Sequence, residues 1–109
     1  MNPAVVILSS IDSVPGRRMA ALLGLVQGST VRTKHLGRDI AASFKNMVGG
    51  ELRGYTELLQ DARAEATARM VAEAESLGAD AVVKVRFSTS SIAGGAAELF
   101  AYGTAVTLE

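Results

Sequence analysis

At 109 residues the chain has the length of one domain, long enough to bury a core and too short for two. Hydrophobic residues at 49% and charged residues at 20% describe a folding globule, and a net charge of zero offers no field to draw in a phosphate backbone or an anionic membrane, so neither nucleic acid nor membrane is an expected partner. The absence of Cys excludes a disulfide framework, a zinc ribbon and a thiol nucleophile, and with no signal-peptide pattern or 18-residue apolar run the expected location is cytoplasmic.

Residues Val5 to Ser9 form a short apolar, β-branched run that stops at the stretch DSVPGRR, residues 12–18, predicting a strand and then a loop. Ala20 to Thr33 carry Leu22, Leu23, Leu25, Val26 and Val31, interrupted by Gly24 and Gly28, where a strand would bend or bulge. The segment predicts one kinked strand or two short ones.

From Leu36 the period becomes helical, since Leu36, Ile40, Phe44 and Met47 share one face of a short helix that ends at Gly49 and Gly50. A long helix then runs from about Tyr55 to Leu77. Its row of Leu58, Ala62, Ala66, Met70 and Ala74 would let it lie close over a sheet, with Leu58, Leu59, Met70 and Leu77 filling the ends. A second row, Ala64, Ala68 and Ala72, suits either a solvated face or a close contact with another subunit.

After Gly78, residues 80–92 alternate, with Val83, Val85 and Phe87 on one face and Lys84, Arg86 and Ser88 on the other. Gly94 and Gly95 make a turn, and Glu98 to Leu108 return as the second strand of a hairpin. The expected class is α+β, a two-layer arrangement with one long helix on one face of an antiparallel or mixed sheet, plus a short extra helix. The far face needs a cover, from the short helix or a neighbouring chain, and Leu99, Ala101, Val106 and Leu108 point to a homo-oligomer.

The segments VPG (14–16), LGLVQG (23–28), GRDI (37–40) and VGGELRGYTELL (48–59), followed by DARAEATARM (61–70), LGADAVVKVRFSTSSI (77–92) and AYGTAV (101–106), together resemble the YbjQ-like family of small prokaryotic proteins. The resemblance spans nearly the whole chain, residues 1–109, as a single domain. It implies a dodecin-like subunit, β-α-β-β with one helix against an antiparallel sheet, assembled as a ring-shaped pentamer in which extra short strands join neighbours. It also brings a label of heavy-metal binding that suits this chain poorly: soft and borderline metals favour thiolate or imidazole, and the sequence has no Cys, one His and four Met.

Candidate sites are few. His35 and Asp39 stand at i, i+4 and supply two metal ligands, whereas a site needs three or four, so a solvated loop histidine is the simpler reading unless several subunits contribute. Glu57, Asp61 and Glu65 form a carboxylate ladder open to a hard metal, although Arg53 and Arg69 stand four residues from its ends and make it a solvated salt-bridge face. Arg69 and Glu73 border the apolar row, as a partly buried pair at a subunit boundary would.

Gly49 and Gly50 offer backbone N–H groups to an anion near Arg53 and Arg63, against competition from Glu51. The resemblance adds Tyr55 and Arg63, so Gly49, Gly50, Glu51, Tyr55 and Arg63 mark the region to inspect for a small ligand. No cofactor signature and no nucleophile elbow or catalytic triad spacing occurs, so an enzyme is not expected. The reading is a homo-oligomeric binding or scaffold module of unknown ligand. Its alternatives are a metal-binding protein that uses carboxylates and His35 across subunits and, less favoured, an enzyme with an interface active site.

Overall fold

The computed structural model describes residues 5–32, 53–92 and 96–109. In chain order these form β1 (Ile7–Leu8), β2 (Met19–Arg32), α1 (Arg53–Ser76), β3 (Ala81–Ile92) and β4 (Ala96–Leu108). The strands make one sheet in the order β1-β3-β4-β2, with β1 parallel to β3 and the other pairings antiparallel. The class is α+β as expected and the sheet is mixed, one of the two forms expected from the residues, whereas the order of described elements, β-β-α-β-β, and the parallel pair depart from the antiparallel β-α-β-β subunit that the resemblance implies. The short helix expected from Leu36 to Met47 and the turn at Gly94 and Gly95 lie outside the described residues.

The parallel pairing arises because β1 bonds to β3, beyond β2 and α1 in sequence, and not to its chain neighbour. Ile7 N–H donates to Asp80 O at 3.0 Å and Ser9 N–H to Val82 O at 2.9 Å, while Val85 N–H returns to Ser9 O at 3.0 Å. That slanted exchange is the parallel pattern. The expected Val5–Ser9 strand thus contracts to two residues, although its bonding to β3 continues past them.

Ala62, Ala66, Met70 and Ala74 are all buried, so these four residues of the predicted helix row do lie on the sheet, while the Leu58 side chain falls outside the described residues. Ala66, Met70 and Ala74 pack in one cluster with Val26, Val82, Ala101 and Ala105. Small side chains bring the layers so close that a Cβ on Gly28 would stand 2.3 Å from both Ala66 O and Met70 N. Gly28 is therefore not a bend: it stays in register opposite Ala101, and its missing side chain is the space the helix backbone occupies. The irregularity expected of β2 is at Gly24, with φ +125° and a register shift between Leu22 and Gly24.

The helix closes with a Schellman motif. Gly78 N–H donates to Glu75 O at 3.0 Å and Ala79 N–H to Ala74 O at 3.0 Å, while Gly78 takes the left-handed φ of +77°. Leu59 and Leu77, expected to fill the ends of the apolar row, are 42% and 45% exposed. Leu59 stands one residue, about 100° of helix rotation, from the buried row, and Leu77 lies past the last helical residue.

Two residues of β3, Lys84 and Val85, stand against Gly103 of β4, because the register moves from Val83↔Thr104 to Arg86↔Tyr102. Lys84 adopts φ +54° to accommodate this bulge. The extra residue inverts the expected alternation: Val83 joins the cluster away from the helix, and Val85 packs against the cluster beneath it.

The cluster on the far face consists of Val14, Ala81, Val83 and Val106, with Leu108 packed against it. Loop 9–18 thus supplies part of the cover that the far face needs. The four residues expected on that face divide by parity, since Ala101 is buried under the helix while Val106 and Leu108 face the other way. Leu99 shares the parity of Ala101.

Candidate functional site

Among the described strands β2, with 14 residues, stands at one end of the sheet order, and helix α1 lies along it. Among the described residues, two helix side chains bond to the backbone of that strand. Arg69 donates through Nη1 to Ser29 O, and Glu73 Oε2 accepts from Gln27 N–H at 3.4 Å. The expected pairing of Arg69 with Glu73 is not made: Arg69 Nη2 meets Glu65 Oε1 at 2.5 Å. Each charge instead faces the backbone group of opposite polarity on β2.

Beside this edge the sheet carries an open cleft of about 420 Å³, lined by Leu25, Val26, Gln27, Glu73, Phe100 and Tyr102. The rings of Phe100 and Tyr102 lie 5.4 Å apart at 33°. A second shallow cleft of about 270 Å³ on the same side is bordered by Met19, Leu22, Val83, Thr104 and Val106, with Asp12 and Lys84 at its polar rim. Leu22 and Leu25 are 74% and 79% exposed. Apolar surface with few polar groups is suited to contact with apolar side chains rather than to proton transfer.

At the other edge of the sheet, Val5 and Ile11 flank β1 and are 83% and 52% exposed. The sheet therefore presents apolar side chains at both ends of its described strand order, and the two sets consist of different residues.

The residues singled out from the sequence do not form a described constellation. His35, Asp39, Gly49, Gly50 and Glu51 lie outside the described residues. Tyr55 and Glu57 fall in the first turns of α1, whereas Asp61 and Arg63 are exposed further along it. Glu65, the end of the carboxylate ladder, is engaged by Arg69. Among the described residues no group of three or more His, Cys, Asp or Glu is placed to hold a metal ion. Ala64, Ala68 and Ala72 are exposed.

The contacts of Arg69 and Glu73 with β2 were not legible from the sequence. Their i, i+4 neighbours account for their charges locally, and nothing in a helical pattern identifies a strand 40 residues away. The exposed leucines of β2 were visible as residues, but not as one surface, because their facing depends on the bulge at Gly24.

Among the described residues no helix is long and apolar enough to cross a membrane. In sequence the chain is 62% identical over 103 residues to a UPF0145 protein of Hahella chejuensis, covering 94% of this chain and 99% of that one. It is 59% identical to a UPF0145 protein of Archaeoglobus fulgidus, covering 94% and 95%, and 56% identical over 109 residues to one of Thermus thermophilus, covering 100% and 96%. In fold it is similar to the crystal structure of a protein of unknown function of the DUF74 family from Pediococcus pentosaceus, with a TM-score of 0.63 at 12% identity over 95% of this chain and 98% of that one. The sequence model of the YbjQ family, described as "Putative heavy-metal-binding", matches residues 6–109, and the chain belongs to that family.

Proposed function

We propose that the protein is a homo-oligomeric binding or scaffold module whose subunits meet edge to edge in a ring, with a small ligand or ion held between subunits. One observation carries this reading: the apolar side chains at the β2 end of the sheet, Leu22 and Leu25, have a different apolar counterpart at the β1 end, Val5 and Ile11. A surface that pairs with itself gives a two-fold dimer, whereas two unlike patches on opposite edges join head to tail, and such contacts close into rings when the rotation permits. The pentamer of dodecin-like subunits that the family resemblance implies is a ring of this kind. Zero net charge places no overall repulsion between copies.

A cytoplasmic location is part of the same proposal, as is a module without catalytic activity, a reading that the two open and largely apolar clefts support. Light scattering tests the assembly. A single species at a whole-number multiple of the subunit mass is the expected result, and a monomer at micromolar concentration overturns it.

The family description favours a second reading, a metal site assembled from carboxylates and His35 of several subunits. Metal analysis of untagged protein, followed by titration with zinc, copper and nickel, tests it. Saturable binding lost in His35→Ala supports this reading; no bound metal and no saturable site removes it.

A further inference from the structure

The shallow cleft of about 270 Å³ on the far face of the sheet has an apolar floor and, among its lining residues, one charge of each sign. Val83 and Val106 belong to the buried far-face cluster, and Met19 and Leu22, 43% and 74% exposed, carry the same apolar surface outward. The charges are Asp12 and Lys84.

Their juxtaposition is built into the backbone. Lys84 N–H donates to Ile11 O at 2.8 Å, which fastens the loop to β3 one residue before Asp12. The bulge of β3 contributes as much. Strict alternation after Val83 would turn Lys84 to the helix side of the sheet, whereas the inserted residue lets Val83 and Lys84 line one cleft. Lys84 holds a left-handed φ of +54° to do so, a conformation disfavoured for any residue with a Cβ. Strain of this kind collects where a side chain is aimed at a ligand.

The two charges do not neutralise each other. Among the described residues neither the Asp12 carboxylate nor the Lys84 ammonium makes an ion pair or a side-chain hydrogen bond. A ligand with only a negative charge would be repelled by Asp12, and one with only a positive charge by Lys84, whereas a small zwitterion complements both. The cleft falls just below the roughly 300–1,000 Å³ of pockets for drug-sized ligands, so its ligand is smaller than those.

We propose that this cleft binds a free α-amino acid with an apolar side chain, its ammonium toward Asp12, its carboxylate toward Lys84 and its side chain on Met19, Leu22, Val83 and Val106. The assignment rests on the proposed binding module, whose small ligand it identifies by class. Leu22 belongs both to the cleft and to the apolar set at the β2 end, so a neighbouring subunit there would cover the bound molecule.

The test is an amide NMR titration of the full-length protein with L-leucine, with isocaproate, which lacks the ammonium, with isoamylamine, which lacks the carboxylate, and with glycine, which lacks the side chain. Leucine is expected to saturate with a Kd on the order of 1 mM, the scale for so small a ligand, with shifts at Asp12 and Lys84. The three analogues are expected to bind about fivefold more weakly or worse. Asp12→Asn and Lys84→Met, both at exposed positions, are expected to keep the fold by circular dichroism and to weaken leucine by about the same factor. No saturable leucine binding overturns the proposal, as does equal affinity for leucine and the two singly charged analogues, or leucine binding that both variants leave unchanged. Light scattering of the same samples separates the two ideas: a homo-oligomer that ignores leucine removes the amino-acid site alone, and a monomer that binds leucine removes the homo-oligomer alone.

Discussion

A Cβ on Gly28 would lie 2.3 Å from the carbonyl oxygen of Ala66, well inside van der Waals contact and against backbone rather than a yielding side chain. Helix and sheet are thus in contact main chain to main chain at this point. Gly28→Ala is expected to push α1 off β2 and cost about 3 kcal/mol or more, the upper range for overpacking a tight interior. Gly16→Ala is the control: its φ of +82° imposes strain, but nothing lies within 4 Å, so the cost is about 1 kcal/mol. Chemical denaturation of both variants measures the difference.

Lys84 holds a left-handed backbone, φ +54°, within the bulge of β3, where its N–H donates to Ile11 O at 2.8 Å. Lys84→Gly relieves the strain and is expected to leave stability unchanged or raise it by up to about 1 kcal/mol. Lys84→Val, β-branched at the same position, is expected to destabilise by about 2 kcal/mol. Equal melting temperatures for the two variants would contradict the role assigned to the bulge.

Asp80 ties the start of β3 to the end of β4, because its Oδ2 accepts from Leu108 N–H at 2.8 Å while its own N–H donates to Val106 O at 2.9 Å. Asp80→Ala leaves the part-buried Leu108 N–H without this acceptor and is expected to cost about 1–2 kcal/mol, with Asp80→Asn recovering part of it. Faster amide exchange at Leu108 in Asp80→Ala, restored in Asp80→Asn, is the matching local readout.

How much of this was readable in advance depended on the distance over which each feature is decided. The row Ala62, Ala66, Met70 and Ala74 repeats within one helix, so its periodicity identified the buried face correctly. The bulge at Gly24 follows from a local backbone requirement and was also visible. Gly28 looks the same in sequence, yet its cause is a helix 38 residues away at Ala66. Simple alternation placed Val83 and Val85 together, and one inserted residue at Lys84 separates them. The parallel pairing of β1 is decided by its bonds to Asp80 and Val82, which no property of Ile7 or Leu8 announces.

The candidate sites were less legible for the same reason. Charges at i, i+4 suggested carboxylate ladders and helix salt bridges, and the Glu65–Arg69 pair is one of these. The bonds of Arg69 to Ser29 and of Glu73 to Gln27 join elements by tertiary geometry alone. His35, Asp39, Gly49, Gly50 and Glu51 belong to the segment outside the described residues, so their grouping rests on sequence spacing.

The edge-to-edge ring is tested most directly by the mass of the protein in solution before and after Leu25→Arg, which places a charge on a 79% exposed apolar residue of β2 without touching the core. Light scattering of the parent is expected to give a single multiple of the subunit mass, five for the pentamer implied by the family resemblance. Leu25→Arg is expected to shift that species toward a folded monomer. A parent protein that is monomeric at micromolar concentration, or an assembly that Leu25→Arg leaves unchanged, would contradict it.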